Sequence, residues 1–114
     1  MLASGDVVDL DLGLPEGREA GFRHPAVVVT AQRVLDAAPS VIHVVPITST
    51  LRRFGAEVEL LPDPVSGLDH RSAAQCQHLR AVAPTRIGEV RGNVGGVALA
   101  QVRETIAVLL DLSS

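Results

Sequence analysis

Two stretches, Arg23-His24-Pro25-Ala26-Val27-Val28-Val29 and Val44-Val45-Pro46-Ile47-Thr48-Ser49-Thr50, decide how the chain folds. Each is a continuous β-branched run, the pattern of a strand buried on both faces. Each also carries polar groups at one end. A guanidinium and an imidazole lie at the start of the first run, and three hydroxyls close the second. Cations beside hydroxyls at strand ends are the chemistry that holds a phosphate group.

Working outward, Asp6 to Leu12 mixes alternation with a β-rich centre and predicts an earlier strand. Gly13 to Gly21 holds Gly, Pro and charges and reads as a loop. Ala31 to Pro39 reads as a short helix or irregular crossover, and Val41 to Ile47 as a central strand. Ala56 to Leu61 alternates and predicts a half-exposed strand, followed by the turn cluster Pro62 to Gly67. Ser72 to Val82 reads as one strand with room for a bend. Pro84 to Ile87 fits a single helical turn, and Gly88 to Val94 is a weak, Gly-broken segment. The clearest helix comes last, from near Gly96 to about Asp111. Leu99, Val102, Ile106 and Leu109 form one stripe at steps of three and four. Strands and helices do not alternate, so a doubly wound fold is disfavoured. The expectation is one mainly β domain over 1–114, a bent sheet or small barrel with a C-terminal helix.

Composition narrows the functions. The 114 residues include two Phe, no Trp and no Tyr, so base stacking on aromatic platforms is nearly unavailable. Net charge is −3, which does not mark the whole surface as a nucleic-acid binder. The charge is nevertheless uneven. Residues 18–53 hold five Arg against Glu19 and Asp36, with His24 and His43 in addition. All ten basic residues are Arg, the residue of planar, bidentate phosphate recognition.

A single Cys, Cys76, excludes an internal disulfide framework and reads as a small buried residue. No Cys or His cluster has metal-ligand spacing, and His70 and His78 read as solvated or hydrogen-bonded side chains. Walker, GxGxxG and GxSxG motifs are absent. Gly95-Gly96 reads as a turn ahead of the last helix. No apolar run reaches the ~18 residues of a membrane span, and the start lacks signal-peptide character. A soluble, cytoplasmic protein without metal or cofactor is expected.

The ordered set Gly5-Asp6-Val7-Val8, Gly17-Arg18-Glu19-Ala20-Gly21, Arg23-His24-Pro25-Ala26, Val45-Pro46-Ile47-Thr48-Ser49 and Gln75-Cys76-Gln77-His78-Leu79-Arg80 resembles the MazF/PemK (Kid) toxins of bacterial toxin–antitoxin pairs. The resemblance runs over essentially the whole chain. It implies an SH3-like β-barrel with a C-terminal helix, a homodimer, and a metal-independent endoribonuclease that cuts single-stranded RNA at a short sequence. It also implies inhibition by a cognate, MazE-like antitoxin, through which alone operator DNA would be met.

Carried over residue by residue, the resemblance makes Thr48 the family hydroxyl, with Ser49 beside it. The family Arg ahead of the strand Pro is replaced by His24, with Arg23 one position earlier. Glu19 matches an acidic loop residue. Some members have an acidic residue where Gln77 stands and a basic one where Gln75 stands, and neither Gln can move a proton. The catalytic set implied is therefore Arg23, His24, Thr48 and Glu19, with Ser49, Arg18, Arg52, Arg53, Gln77 and Arg80 as RNA contacts. Arg80 reads first as a structural cation in the barrel wall or dimer seam. Two alternatives stand beside this reading. A CcdB-like topoisomerase poison would need an aromatic residue near the C-terminus, where this chain has Asp111-Leu112-Ser113-Ser114. A catalytically weak antitoxin-binding member would fit the displaced Arg and the two Gln. Dimer contacts are expected from 98–110 and the strand near Val44.

Overall fold

The computed structural model describes residues 1–11, 23–52 and 55–112, with Arg23 by its backbone alone. Among these residues the chain forms strands β1 (Asp6–Asp11), β2 (Arg23–Val28), β3 (Ile42–Thr48), β4 (Glu57–Leu60), β5 (Ser72–Gln75), β6 (Arg80–Val82) and β7 (Ile87–Asn93), with helices α1 (Gln32–Asp36) and α2 (Gly95–Leu109). All pairings are antiparallel. The order is β4-β5-β3-β2-β1-β7, and β6 also pairs with β3. The mainly β architecture with a C-terminal helix is the one expected.

β3 is the organising strand. One edge pairs with β2, while the other meets β6 at Ile42–Val44 and β5 at Ile47–Thr48. One strand shared by three partners forces the sheet to bend. The bend divides the core into two apolar clusters. Val7, Val27, Val45 and Ile47 face Leu99 and Val102 of α2. Val8, Leu10, Ala26, Val28 and Val44 face the other way, against Leu35, Ile42 and Val82. This is period-two alternation in strands buried on both faces.

Three segments depart from the sequence reading. Ser72 to Val82 is not one strand, because the 3₁₀ turn Cys76–His78 breaks it into β5 and β6. Ile87 to Asn93 is a full strand along β1, with register irregularities near Val8. Its Gly92 is a packing residue and not a breaker. An added Cβ would overlap the Val65 carbonyl oxygen and lie 2.6 Å from the Ser66 carbonyl carbon. The apolar stripe of α2 is buried only at Leu99 and Val102, and Leu109 is exposed.

α2 is fastened by polar contacts at both sides of its start. Asn93 Oδ1 accepts from Gly95 N at 2.8 Å, satisfying one free amide of the first turn. Asn93 Nδ2 donates to the Ser4 carbonyl and to Asp6 Oδ1. Arg103 reaches the end of β2, donating to the Val29 carbonyl at 3.1 Å and the Thr30 carbonyl at 3.3 Å. Among the described residues no helix is long and apolar enough to cross a membrane.

Candidate functional site

The site begins with register. Ala26 pairs with Pro46, Val27 with Val45 and Val28 with Val44. Two residues further along, the same register sets His24 opposite Thr48. His24 has the parity of Ala26, and Thr48 that of Val44 and Pro46, so the two share a face. They line one cavity of about 280 Å³, with Pro25, Ile47 and Ser49.

Each side chain is held locally. Thr48 Oγ1 accepts from Thr50 N at 3.1 Å, which keeps the hydroxyl at the strand end. The His24 ring is half-buried, and burial lowers its pKa from the ordinary 6.5. A hydrogen bond to the Ile47 backbone opposes that shift and occupies one ring nitrogen. The net effect keeps the imidazole neutral to lower pH than in water.

The opposite wall comes from distant sequence. It is formed by Asp69, His70 and Ser72, from the segment entering β5, and by Arg91 of β7. Arg91 Nε lies 2.9 Å from Oδ1 of the buried Asp9. The segment is anchored on both sides of His70. Ser72 is buried and donates to the His70 carbonyl at 2.9 Å, and Arg71 Nε pairs with Glu59 at 2.9 Å. Before it, the turn at 63–68 closes on itself through Asp63 and Leu68, and Asn93 N donates to the Val65 carbonyl.

The structure thus joins His24, Thr48 and Ser49, and adds His70 and Arg91, which sequence reasoning missed. Neither carries a local signal. His70 precedes an ordinary strand, and Arg91 sits in the Gly-containing stretch read as weak. The pairing of β5 with the end of β3 brings in His70, and the return of β7 along β1 brings in Arg91.

Other sequence candidates lie elsewhere. Arg80 is exposed on β6, where it lines a separate cavity of about 330 Å³ with Asp11 and Arg86. Gln77 lies in the 3₁₀ turn, its Nε2 3.3 Å from Glu57 Oε2, and Gln75 approaches the same carboxylate at 3.5 Å. Arg52 is exposed beyond the hydroxyl run. Arg23 pairs with Asp11 through the backbone, and its side chain lies outside the described residues. Arg18, Glu19 and Arg53 also lie outside them. Cys76 is 2% exposed, and burial pushes its thiol up to about 11, which removes it as a nucleophile at neutral pH. Among the described residues no three His, Cys, Asp or Glu side chains gather as a metal site.

A larger cavity, about 570 Å³, lies between β4, the 63–68 turn and the start of α2. Its wall includes Leu60, Leu61, Val65, Val94, Val97 and Ala98, and no Arg or His. It is unsuited to a phosphate.

A family model for the PemK-like, MazF-like toxin of type II toxin–antitoxin systems matches residues 3–110. The chain is 34% identical over 118 residues to endoribonuclease MazF9 of Mycobacterium tuberculosis, covering the full length of both. Among solved structures, the MazE–MazF complex of Deinococcus radiodurans is matched with a TM-score of 0.78 at 25% identity, over 98% of this chain and 97% of that one. An endoribonuclease in complex with its cognate antitoxin, from a mycobacterial species, also gives 0.78, at 18% identity over 100% and 99% of the two chains.

Proposed function

Because this chain belongs to the PemK-like, MazF-like toxin family of type II toxin–antitoxin systems, we propose that it is an endoribonuclease toxin cutting single-stranded mRNA at the cavity between β2 and β3. The observation that carries this reading is the meeting of His24, Thr48, Ser49 and Arg91 around one cavity of about 280 Å³.

RNA brings its own nucleophile, the 2′-hydroxyl. The protein must hold the phosphate, take the hydroxyl proton, stabilise the crowded phosphorane and protonate the departing 5′-oxygen. Thr48 and Ser49 hydroxyls donate to the phosphate oxygens. Arg91 is oriented by Asp9, and Arg23, next to His24 in sequence, belongs to the same cationic set. Positive groups fixed in place before reaction are what a developing charge requires. His24, kept neutral by burial, is suited to accept the 2′-hydroxyl proton. The products are a 2′,3′-cyclic phosphate and a 5′-hydroxyl, and no step calls on a metal. Glu19 belongs to the catalytic set in this reading, and Arg18, Arg52 and Arg53 to the RNA contacts.

The partner is a cognate, MazE-like antitoxin, as in the two antitoxin-bound structures matched above. Operator DNA is reached only through it. The working form is a homodimer in the cytoplasm. The exposed Val108, Leu109, Leu110 and Leu112 at the end of α2 are apolar surface that such assembly would cover.

The test is incubation of the purified chain with a long transcript in EDTA, followed by mapping of the new 5′ ends. Recurrent cuts with 5′-hydroxyl ends are expected. An intact transcript, with inhibition of gyrase instead, would overturn the reading in favour of a topoisomerase poison.

A further inference from the structure

We propose that His70 is the second proton carrier of the site, donating to the departing 5′-oxygen while His24 takes the proton of the 2′-hydroxyl; this rests on the ribonuclease reading above.

The argument starts from a deficit. In-line displacement puts the attacking and departing oxygens on opposite sides of phosphorus. His24 has one ring nitrogen engaged by the Ile47 backbone. Its other nitrogen cannot serve both oxygens, so a second group is required. The Gln at 75 and 77 cannot move protons, and both side chains turn to Glu57, outside this cavity; Glu19, the other proton carrier the sequence offers, lies outside the described residues.

His70 answers the deficit by position. It lies on the wall of the same cavity, contributed by a different element from His24. Its backbone is fixed by Ser72 behind it and by the Arg71–Glu59 pair beside it. The charged groups of its surroundings are Asp69, adjacent in the chain, and Arg91, whose charge is partly answered by Asp9. The step balances: the 2′-oxygen bonds to phosphorus as its proton passes to His24, and the P–O5′ bond breaks as O5′ takes a proton from His70. Solvent then returns each ring to its starting state.

The experiment uses the full chain and an RNA oligonucleotide carrying one mapped cut, compared with the same oligonucleotide holding a bridging 5′-sulfur at that bond. A thiolate departs without protonation. For His70→Gln, cleavage of the ordinary RNA should fall roughly 10²-fold or more. Its rate on the sulfur substrate should stay within a few-fold of wild type, and the basic limb of the pH–rate profile should disappear. Wild-type rates for His70→Gln, or equal losses on both substrates, overturn the assignment alone. A wild-type chain that cuts neither RNA overturns it together with the ribonuclease reading.

Discussion

Arg91 Nε stands 2.9 Å from Asp9 Oδ1 as an ion pair without hydrogen-bond alignment, and the guanidinium forms part of the wall facing His24 and Thr48. The carboxylate is buried, and the cation's side chain keeps 37% of its surface in solvent. Removing the cation therefore costs more than removing the acid's charge. Arg91→Ala should lower RNA cleavage by roughly 10²-fold, the usual effect of one charge-stabilising donor. It should also cost about 1–3 kcal/mol in urea unfolding, because the buried Asp9 loses its partner. Asp9→Asn should give a smaller rate loss, since the guanidinium remains but is no longer paired.

His24 makes the pH dependence specific. Its folded pKa lies below 6.5 while the unfolded value is about 6.5. The unfolded chain therefore binds the proton more readily, and this residue favours unfolding as pH falls from the unfolded value through the folded one. Above pH 6.5 its contribution is constant. The acid limb of the cleavage profile should have its midpoint below 6.5, and His24→Gln should abolish that limb. A limb left in place in the variant would assign it to another group.

Thr48 separates chemistry from stability. Among the described residues its hydroxyl accepts the local Thr50 amide alone, so Thr48→Val should change unfolding by about 1 kcal/mol or less. The cleavage rate should nonetheless fall roughly 10²–10³-fold. Thr48→Ser should recover most of the rate in the same assay.

Glycines along β7 and at the start of α2 should behave in opposite ways. Gly92→Ala drives a Cβ into the backbone at Val65 and Ser66, and should destabilise by about 2–3 kcal/mol in thermal or urea melts. Gly96 has open space around it, so Gly96→Ala should stabilise by about 0.5–1 kcal/mol through helix propensity.

Cys76 should resist alkylation. The thiol is buried between β5 and α2, with Sγ 3.9 Å from the Ala74 carbonyl and 3.8 Å from the Val102 carbonyl. Iodoacetamide at pH 8 should leave the native chain unmodified by mass spectrometry and should label it fully in urea.

The legible parts of the molecule were those with local causes. The β-branched runs specify β2 and β3, and their ends bring His24 to Thr48 by register alone. The three–four spacing specifies α2. The break after Gln75 is legible only as room for a bend, because Cys76-Gln77-His78 contains neither Gly nor Pro, and its place follows from β5 and β6 sharing β3. β7 was undervalued because Gly92 looks like a breaker until Val65 is seen against it. His70 and Arg91 reach the site only through closure of the sheet, 22 and 43 residues beyond Thr48, and no spacing rule announces neighbours that far along the chain.

The close approach at Gly67 and Gly92 reaches beyond packing. A Cβ at Gly67, whose φ is +74°, would lie 2.6 Å from the Arg91 carbonyl oxygen, so main chain rests directly on main chain beneath the segment leading to His70. The contact ties the turn ahead of His70 to the strand that carries Arg91. The two parts of that wall share one piece of backbone, and a substitution at either glycine reaches both residues at once.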